Sequence, residues 1–131
     1  IVRAGDTLLE SVRKVMPGIR VGKILIQRDE SDPEKRPKLF YSKLPPGIET
    51  MQVMLVDPML ATGGSACKAI EVLRKAGIPE RNIMFLNVVS CPEGLRRLAK
   101  EYPDVQVVTA EVDAGLNGDC YIVPGLGDYG D

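Results

Sequence analysis

Histidine is absent from the 131-residue sequence. Its absence excludes a Ser-His-Asp triad, a Cys-His catalytic pair and any zinc site built on imidazole ligands. Cysteine is scarce as well. The three cysteines, Cys67, Cys91 and Cys120, are odd in number and form no C-x-x-C pair. We therefore expect neither a disulfide framework nor a Cys-only zinc site. A reducing cytoplasm is the expected compartment.

Long apolar runs and an excess of one charge are also absent. No run approaches the roughly 18 residues of a membrane span, and no signal-peptide pattern leads the sequence, so we expect no membrane partner. The 17 Lys and Arg residues nearly balance 18 Asp and Glu residues, for a formal net charge of −1. A globally basic nucleic-acid binder is thus disfavoured. The 44% of hydrophobic residues is enough for one packed core.

Both ends of the sequence look like interior stretches of a longer protein. It opens on the apolar pair Ile1-Val2 without an initiator methionine, and it closes on Gly130-Asp131 inside a glycine-rich segment. We therefore expect residues 1–131 to form a single, incomplete domain.

The first half predicts one helix, one strand and an extended arm. Thr7 and Glu10 have the spacing of a capping box, which predicts a helix N-cap at Thr7. Four apolar residues of this helix are expected on one side, namely Leu8, Leu9, Val12 and Val15. A buried strand is predicted over residues 21–26. Residues 29–50 are expected to form a flexible loop, charged and proline-broken over residues 30–38, followed by a β-arm that leaves the main sheet.

The second half alternates strands with helices. Strands are predicted over residues 51–56, 83–89, 105–109 and 121–123, and helices over residues 65–76 and from Pro92 onward. Gly77 is the expected C′ residue of the first of these helices. This order predicts an α/β fold, Rossmann-like, with a mostly parallel sheet flanked by helices. Ligands bind such sheets outside the carboxyl ends of the strands.

The loop after the strongest strand has the composition of a phosphate-binding site. It reads Asp57-Pro58-Met59-Leu60-Ala61-Thr62-Gly63-Gly64-Ser65, and we call residues 57–65 the phosphate loop. Its glycine N–H groups can approach an anion closely, its hydroxyls can donate, and the following helix adds its positive end. No Gly-Lys-[Ser/Thr] follows, which disfavours a Walker A loop.

Asp57 adds a carboxylate to this loop, at the end of the preceding strand. A carboxylate there can accept hydrogen bonds from sugar hydroxyls, so phosphate and ribose together indicate a phosphorylated sugar as ligand. The alternative is a capped helix after a tight turn, with Asp57 capping locally.

Three further segments occur in a fixed order with the phosphate loop: Ile1-Val2-Arg3-Ala4-Gly5, Gln27-Arg28-Asp29-Glu30, and residues 121–131. Together the four segments resemble the type I phosphoribosyltransferases, and uracil phosphoribosyltransferases in particular, in which a proline similarly follows the loop aspartate. The segment Pro92-Glu93-Gly94 also fits. Members of that family are longer, with an N-terminal helical region and an aromatic-rich tail, so the resemblance implies a phosphoribosyltransferase domain that is incomplete here.

The resemblance implies a pentosyl-transferring glycosyltransferase of pyrimidine salvage, which joins uracil to phosphoribosyl diphosphate (PRPP) and releases uridine monophosphate (UMP) and diphosphate. It implies catalytic roles for Asp57, Arg3 and Asp128. Contacts with PRPP would come from Arg3, Arg28, the phosphate loop and Asp128. Uracil would be bound by Asp128 and by main-chain groups of Ile122, Gly127 and Tyr129.

The resemblance also implies Mg²⁺ brought with PRPP, which Asp128 would reach through water, and suggests GTP as an allosteric activator. It implies a homodimer or homotetramer and no nucleic-acid partner. The alternative function is an inactive or regulatory uracil phosphoribosyltransferase-like domain of a uridine kinase.

Several residues have a plainer interpretation beside the functional one. Arg3 could be an ordinary surface arginine, and Arg28 could pair with Asp29 and Glu30. The G-x-G-x-x-G spacing over residues 125–130 lacks the following helix that a dinucleotide fingerprint needs. Cys67 is expected to be a small packed residue rather than a reactive thiol.

Overall fold

The protein has an α/β fold, described here from a computed structural model over residues 1–127 and residue 129. The helices are α1 (Gly5–Val15), α2 (Gly64–Lys75) and α3 (Pro92–Glu101), and the strands are β1 (Lys23–Arg28), β2 (Pro37–Lys43), β3 (Val53–Val56), β4 (Met59–Leu60), β5 (Ile83–Ser90), β6 (Gln106–Val112), β7 (Gly115–Leu116) and β8 (Ile122–Val123). Within these residues no helix combines the length and the apolar character that a membrane crossing requires.

The central sheet is parallel, as the order of elements predicted, and β5 is its middle strand. β6 runs along one edge of β5, with Met84 opposite Gln106. β3 and β4 both pair with β5 in parallel, β3 with its first half and β4 with its end. Since β6 occupies the other edge over the same length, β3 and β4 follow one another on a single edge. They are one strand interrupted at Asp57-Pro58, which the sequence had not predicted.

The core lies between one face of this sheet and the helices α2 and α3. Alternate residues of β5 are buried, and Phe85 at the middle of the strand is fully enclosed. Four apolar residues of α2 at helical spacing are buried against it, as predicted: Ala66, Ala69, Ile70 and Leu73. Burial of each large apolar side chain contributes about 1.5–3 kcal/mol, so this contact anchors both helices.

Two predicted helix ends are confirmed. Gly77 follows α2 with φ +94°, and the N–H of Ile78 donates to the carbonyl of Leu73 at 3.2 Å, the hydrogen bond of a left-handed C′ turn. Pro92 is the first residue of α3, where its missing N–H costs nothing.

The predicted N-cap at Thr7 is wrong. Helix α1 already begins at Gly5, and its N-cap, Ala4, makes no side-chain capping bond. The chain enters the helix early because the N–H of Gly5 donates to the carbonyl of Ile1 at 3.1 Å. Thr7 is therefore inside the helix. Val15 does not join the apolar side, because it is 81% exposed.

The predicted strand over residues 21–26 is shifted to β1 at 23–28, and it lies outside the parallel sheet. β1 pairs antiparallel with β2, with Lys23 opposite Lys43. Only every second residue of β1, Ile24 and Ile26, is buried, because a two-stranded sheet covers the core with one face. The loop between the strands is held by side-chain turns: Asp32 Oδ1 accepts a hydrogen bond from the N–H of Glu34 at 3.0 Å.

The strand boundaries differ from prediction in two further places. β6 starts and ends later than predicted, at 106–112 instead of 105–109. The last strand, β8, is antiparallel to β7 in a separate two-stranded sheet, with Leu116 opposite Ile122. It turns away from the main sheet because it follows β7 by only a short hairpin, and parallel pairing needs a long crossover.

Candidate active site

The phosphate loop is fixed at its start by the central strand. The N–H of Asp57 donates to the carbonyl of Leu86 at 3.2 Å, and the carbonyl of Pro58 accepts from Val88 and Val89 at 2.9 and 3.1 Å. These bonds bridge the interruption between β3 and β4. The backbone at Asp57 is therefore held on both sides, which orients its side chain at the carboxyl end of β3.

The carboxylate of Asp57 has no hydrogen-bond partner among the described residues. Burial raises the pKa of Asp57 to about 6. The N-cap of α2 is Gly63, with no side-chain capping bond, so the interpretation of Asp57 as a local helix cap is wrong. A desolvated carboxylate with free lone pairs is suited to accept hydrogen bonds from ligand hydroxyls.

The two glycines of the loop are buried, and they fit close packing on both sides. Gly63 has φ +84°, and a Cβ there would lie 3.3 Å from the Cδ of Arg97. A Cβ at Gly64 would lie 2.8 Å from the Cγ of Pro37. Close packing therefore requires glycine at both positions, in addition to the expected need to expose N–H groups to an anion.

The start of α2 keeps the polar groups that an anion would need. Thr62 and Ser65 are exposed on either side of the glycines, and Thr62 Oγ1 accepts a 3.4 Å hydrogen bond from the N–H of Gly64. The first N–H groups of any α-helix have no acceptor within the helix. They carry the positive end of the helix dipole. The start of α2 therefore offers donors to a phosphate.

Arg3 lies in a tight turn next to Asp57. A Cβ at Gly5 would lie 2.6 Å from the carbonyl oxygen of Val56 and 3.8 Å from the Cα of Asp57, so residues 1–5 pack directly against the end of β3. Arg3 is exposed and has φ +35°. A left-handed backbone costs a non-glycine residue about 1–2 kcal/mol, and such strain is common in ligand-binding turns.

Arg28 lies at the end of β1, opposite Pro37 in the antiparallel pair. Because Pro37 lies against Gly64, this end of the arm adjoins the start of α2. Among the described residues the neighbouring acids pair with lysines instead: Asp29 with Lys38 at 3.2 Å and Glu30 with Lys35 at 3.5 Å. The alternative pairing of Arg28 with these acids is therefore wrong.

The C-terminal segment packs beside β4. Ile122 is buried in a small cluster with Val89 and Cys91, against which Met59 and Ala61 of the phosphate loop also pack. Gly125 has φ +58°, and a Cβ there would lie 2.1 Å from the carbonyl oxygen of Ile122.

The predicted uracil-binding residues are described only in part. Gly127 has φ +70° and is exposed, as is Tyr129. Asp128, the predicted ligand of the metal and of both substrates, lies outside the described residues. Three parts of the predicted site do lie against the phosphate loop or the end of β3: the turn at residues 1–5, the end of the arm at Pro37, and Ile122.

A sequence model of the uracil phosphoribosyltransferase family matches residues 1–131. The chain belongs to the uracil phosphoribosyltransferase family. It is similar to the uracil phosphoribosyltransferase of Dictyostelium discoideum, 52% identical over 99% of this chain and 59% of that protein. It is also similar to that of Saccharomyces cerevisiae, 50% identical over all of this chain and 60% of that protein. The chain thus spans about 60% of the length of these uracil phosphoribosyltransferases.

The chain is also similar to a uridine kinase-like protein and to one solved structure. Uridine kinase-like protein 3 of Arabidopsis thaliana is 42% identical over this whole chain, which covers 28% of that protein. The solved structure of the AQ2163 protein from Aquifex aeolicus superposes with a TM-score of 0.87 at 34% identity, over 99% of this chain and 60% of that one. The last match supports the α/β fold described above.

The sequence did not predict the supporting contacts that three residues make around the candidate site. Gly94 and Cys91 lie against the phosphate loop, and the carboxylate of Asp113 accepts a 2.8 Å hydrogen bond from the N–H of Gly125. Gly94 had a visible signal, because glycine inside the first turn of a helix is unfavourable unless close packing demands it. Asp113 had none, since its partner is distant in sequence.

Proposed function

We propose that this protein transfers the phosphoribosyl group of PRPP to uracil, giving UMP and diphosphate. The observation that carries the proposal is Asp57: a desolvated carboxylate that has no hydrogen-bond donor among the described residues and lies beside the turn at residues 1–5. A sugar phosphate would supply both the hydrogen-bond donors for Asp57 and an acceptor for the N–H groups at the start of α2. Its hydroxyls donate to the carboxylate, and its phosphate accepts from the helix.

The reaction needs no nucleophilic side chain, because diphosphate is already a good leaving group. We expect a transition state with oxocarbenium character at the ribose carbon. The protein would then act by orientation and by electrostatic stabilisation. Thr62, Ser65 and the first N–H groups of α2 would hold the 5′-phosphate, and Asp57 would hold the ribose hydroxyls. As a carboxylate, Asp57 also places negative charge near the developing cation.

The leaving diphosphate needs positive charge around it. We propose that Arg3 and Arg28 supply this charge from two different segments, because a guanidinium can bind two phosphate oxygens at once. Both arginines are exposed at the protein surface.

Mg²⁺ fits this site as a companion of the substrate. Among residues 1–127 and 129 there is no cluster of three potential metal-ligating side chains, whereas Asp57 offers one carboxylate at the start of the phosphate loop. Magnesium at phosphate sites commonly has one or two carboxylates, substrate oxygens and water as ligands. When bound, the metal neutralises charge on the departing diphosphate. Asp128 is the second carboxylate that we propose for it, through water.

Uracil would lie against the C-terminal segment. Main-chain groups of Ile122, Gly127 and Tyr129 suit its edge, because the base presents alternating carbonyl and N–H groups. The hydrogen bond from Gly125 to Asp113 holds the turn that follows Ile122. We propose this segment as the determinant of base choice.

The alternative, a regulatory domain of a uridine kinase, is supported by the uridine kinase-like relatives, whose identity to this chain is 41–44%. It is disfavoured by the 48–52% identity to the uracil phosphoribosyltransferases and by the intact phosphate loop. A homodimer or homotetramer, activation by GTP and a cytoplasmic location remain proposals from the family.

The decisive experiment is an assay for UMP from uracil and PRPP with Mg²⁺, on the protein expressed at full length. The proposal expects UMP formation, and it expects Asp57→Asn to lower kcat/KM for PRPP roughly tenfold to a hundredfold, the equivalent of one hydrogen bond to a charged group. Asp104→Asn is the matched control, because this exposed carboxylate precedes β6 and so lies at the opposite edge of the sheet from the phosphate loop. Absence of UMP, or a change confined to the KM for uracil, would contradict the proposal.

A further inference from the structure

The first turn of α3 packs directly onto the phosphate loop. Gly94 is buried, and a Cβ there would lie 2.4 Å from the carbonyl oxygen of Ala61 and 2.9 Å from the Cγ of Leu60. Cβ atoms essentially never come this close to a backbone oxygen. A side chain at this position would therefore displace either the helix or the loop.

Cys91, the N-cap residue of α3, forms two hydrogen bonds to the same stretch of the loop. Its N–H donates to the carbonyl of Leu60 at 3.1 Å, and its thiol donates to the carbonyl of Ala61 at 3.1 Å. The side chain is fully buried. Burial raises the pKa of the Cys91 thiol above its usual value, so the sulfur keeps the proton that it donates.

These contacts fix the orientation of the peptide group between Ala61 and Thr62 in the phosphate loop. The carbonyl of Ala61 points toward α3, where Cys91 and Gly94 meet it. In a trans peptide the carbonyl and the following N–H point in opposite directions, and among the described residues the one cis bond is Val123–Pro124. The N–H of Thr62 is therefore directed away from α3, on the exposed side of the loop.

We infer that Gly94 and Cys91 are positioning residues for substrate binding: by holding the carbonyl of Ala61 they aim the N–H of Thr62 at the phosphate of the bound sugar ester. The inference rests on the proposed function and deepens it. Neither residue touches the substrate. Their effect is expected in the binding of the phosphate and not in that of the base.

The first test is Gly94→Ala, with Gly118→Ala as the matched control, because a Cβ at Gly118 meets no atom within 4 Å. We expect Gly94→Ala to raise the KM for PRPP about tenfold or more, since displacements near 1 Å have effects of this size, with the KM for uracil within about twofold of the unchanged protein. Gly118→Ala should match the unchanged protein. The inference would be overturned if Gly94→Ala left the KM for PRPP unchanged, or if its only effect were to lower the fraction of folded protein.

The second test separates the thiol hydrogen bond from packing. Cys91→Ser keeps a donor of similar size, whereas Cys91→Ala removes it. We expect Cys91→Ser to retain most of the affinity for PRPP and Cys91→Ala to lose severalfold, the equivalent of about 1 kcal/mol for one hydrogen bond. Equal affinity of the two variants would contradict the role of the thiol.

Calorimetric binding of ribose 5-phosphate distinguishes failure of this inference from failure of the proposed reaction. Full-length protein that binds this probe but forms no UMP would refute the reaction, while a weaker affinity of Gly94→Ala for the probe would still support the inference. If the unchanged protein does not bind ribose 5-phosphate, or binds it as tightly after Gly94→Ala, the inference fails.

Discussion

Replacing Asp57 with asparagine should stabilise the protein while it impairs the proposed reaction. Burial raises the pKa of Asp57 to about 6 from its ordinary value of 3.8. The difference of about 2 pKa units corresponds to at most about 3 kcal/mol. This free energy opposes folding whenever the carboxyl is ionised in the native state. Asparagine has nearly the same shape without the charge, so it avoids this cost.

The sign of the effect depends on pH in a defined window. Well below pH 4 Asp57 is protonated in both the folded and the unfolded chain, and the cost is absent. As the pH rises from 4 to 6, the unfolded chain releases its proton first, because its carboxyl has the lower pKa, and the folded state loses stability. Above about pH 7 the full cost is present. The advantage of Asp57→Asn should therefore be small at pH 4, where the unfolded carboxyl is only partly ionised, and largest at neutral pH.

The measurement is thermal unfolding of both proteins at pH 4 and at pH 7.5. With an unfolding entropy of about 2.1 cal/mol/K per residue, 3 kcal/mol corresponds to a rise in Tm of about 10 °C at pH 7.5 where the 131 residues unfold by themselves, and to a proportionally smaller rise in a longer chain. Asp104→Asn should change stability by no more than about 0.5 kcal/mol at either pH. Equal Tm values for the unchanged protein and Asp57→Asn at pH 7.5, or a difference that persists undiminished at pH 4, would refute this reasoning.

Three further substitutions test the rest of the site. Arg3→Ala should lower kcat/KM for PRPP roughly tenfold to a hundredfold by removing a charged hydrogen bond to diphosphate, and an unchanged rate in steady-state kinetics would exclude that contact. Gly64→Ala places a Cβ 2.8 Å from the Cγ of Pro37. It should lower the free energy of unfolding in urea by about 1–3 kcal/mol. Unaltered stability would mean that β2 moves away from α2 without cost. Asp113→Ala removes the acceptor for the Gly125 N–H and should raise the KM for uracil about fivefold, whereas a raised KM for PRPP alone would place the defect elsewhere.

The elements that sequence reasoning located well are those whose signals are local. Helix α2 was placed within one residue at each end, because its apolar spacing and Gly77 act over a few turns. The parallel order of β3, β5 and β6 followed from their alternation with helices. The end of α1 near Pro17 was marked by the proline itself, which disfavours a helical conformation at the residue before it.

The errors arose where distant contacts decide the structure. β4 is only two residues long, and it forms by pairing with the end of β5. No local pattern in the sequence predicts this pairing. The early start of α1 depends on a tight turn at Ile1 that overrides the capping preference of Thr7. β1 was shifted because its register is set by pairing with β2.

The candidate site was predictable in its residue types but not in its support. The phosphate loop and the Arg3 turn could be identified from sequence, whereas their contact through Gly5 and Val56 could not. The raised pKa of Asp57 is likewise a product of burial, which depends on how the whole chain folds.

The split strand formed by β3 and β4 also constrains how this protein can vary in length. Both halves pair with β5, with Val56 opposite Leu86 and Met59 opposite Val89. An insertion or deletion of a single residue between Val56 and Met59 would shift β4 by one position, and successive strand residues face opposite sides. Leu60, now buried, would then turn toward the other face of the sheet. Natural sequences of this family should therefore tolerate substitutions at this point far better than changes in spacing.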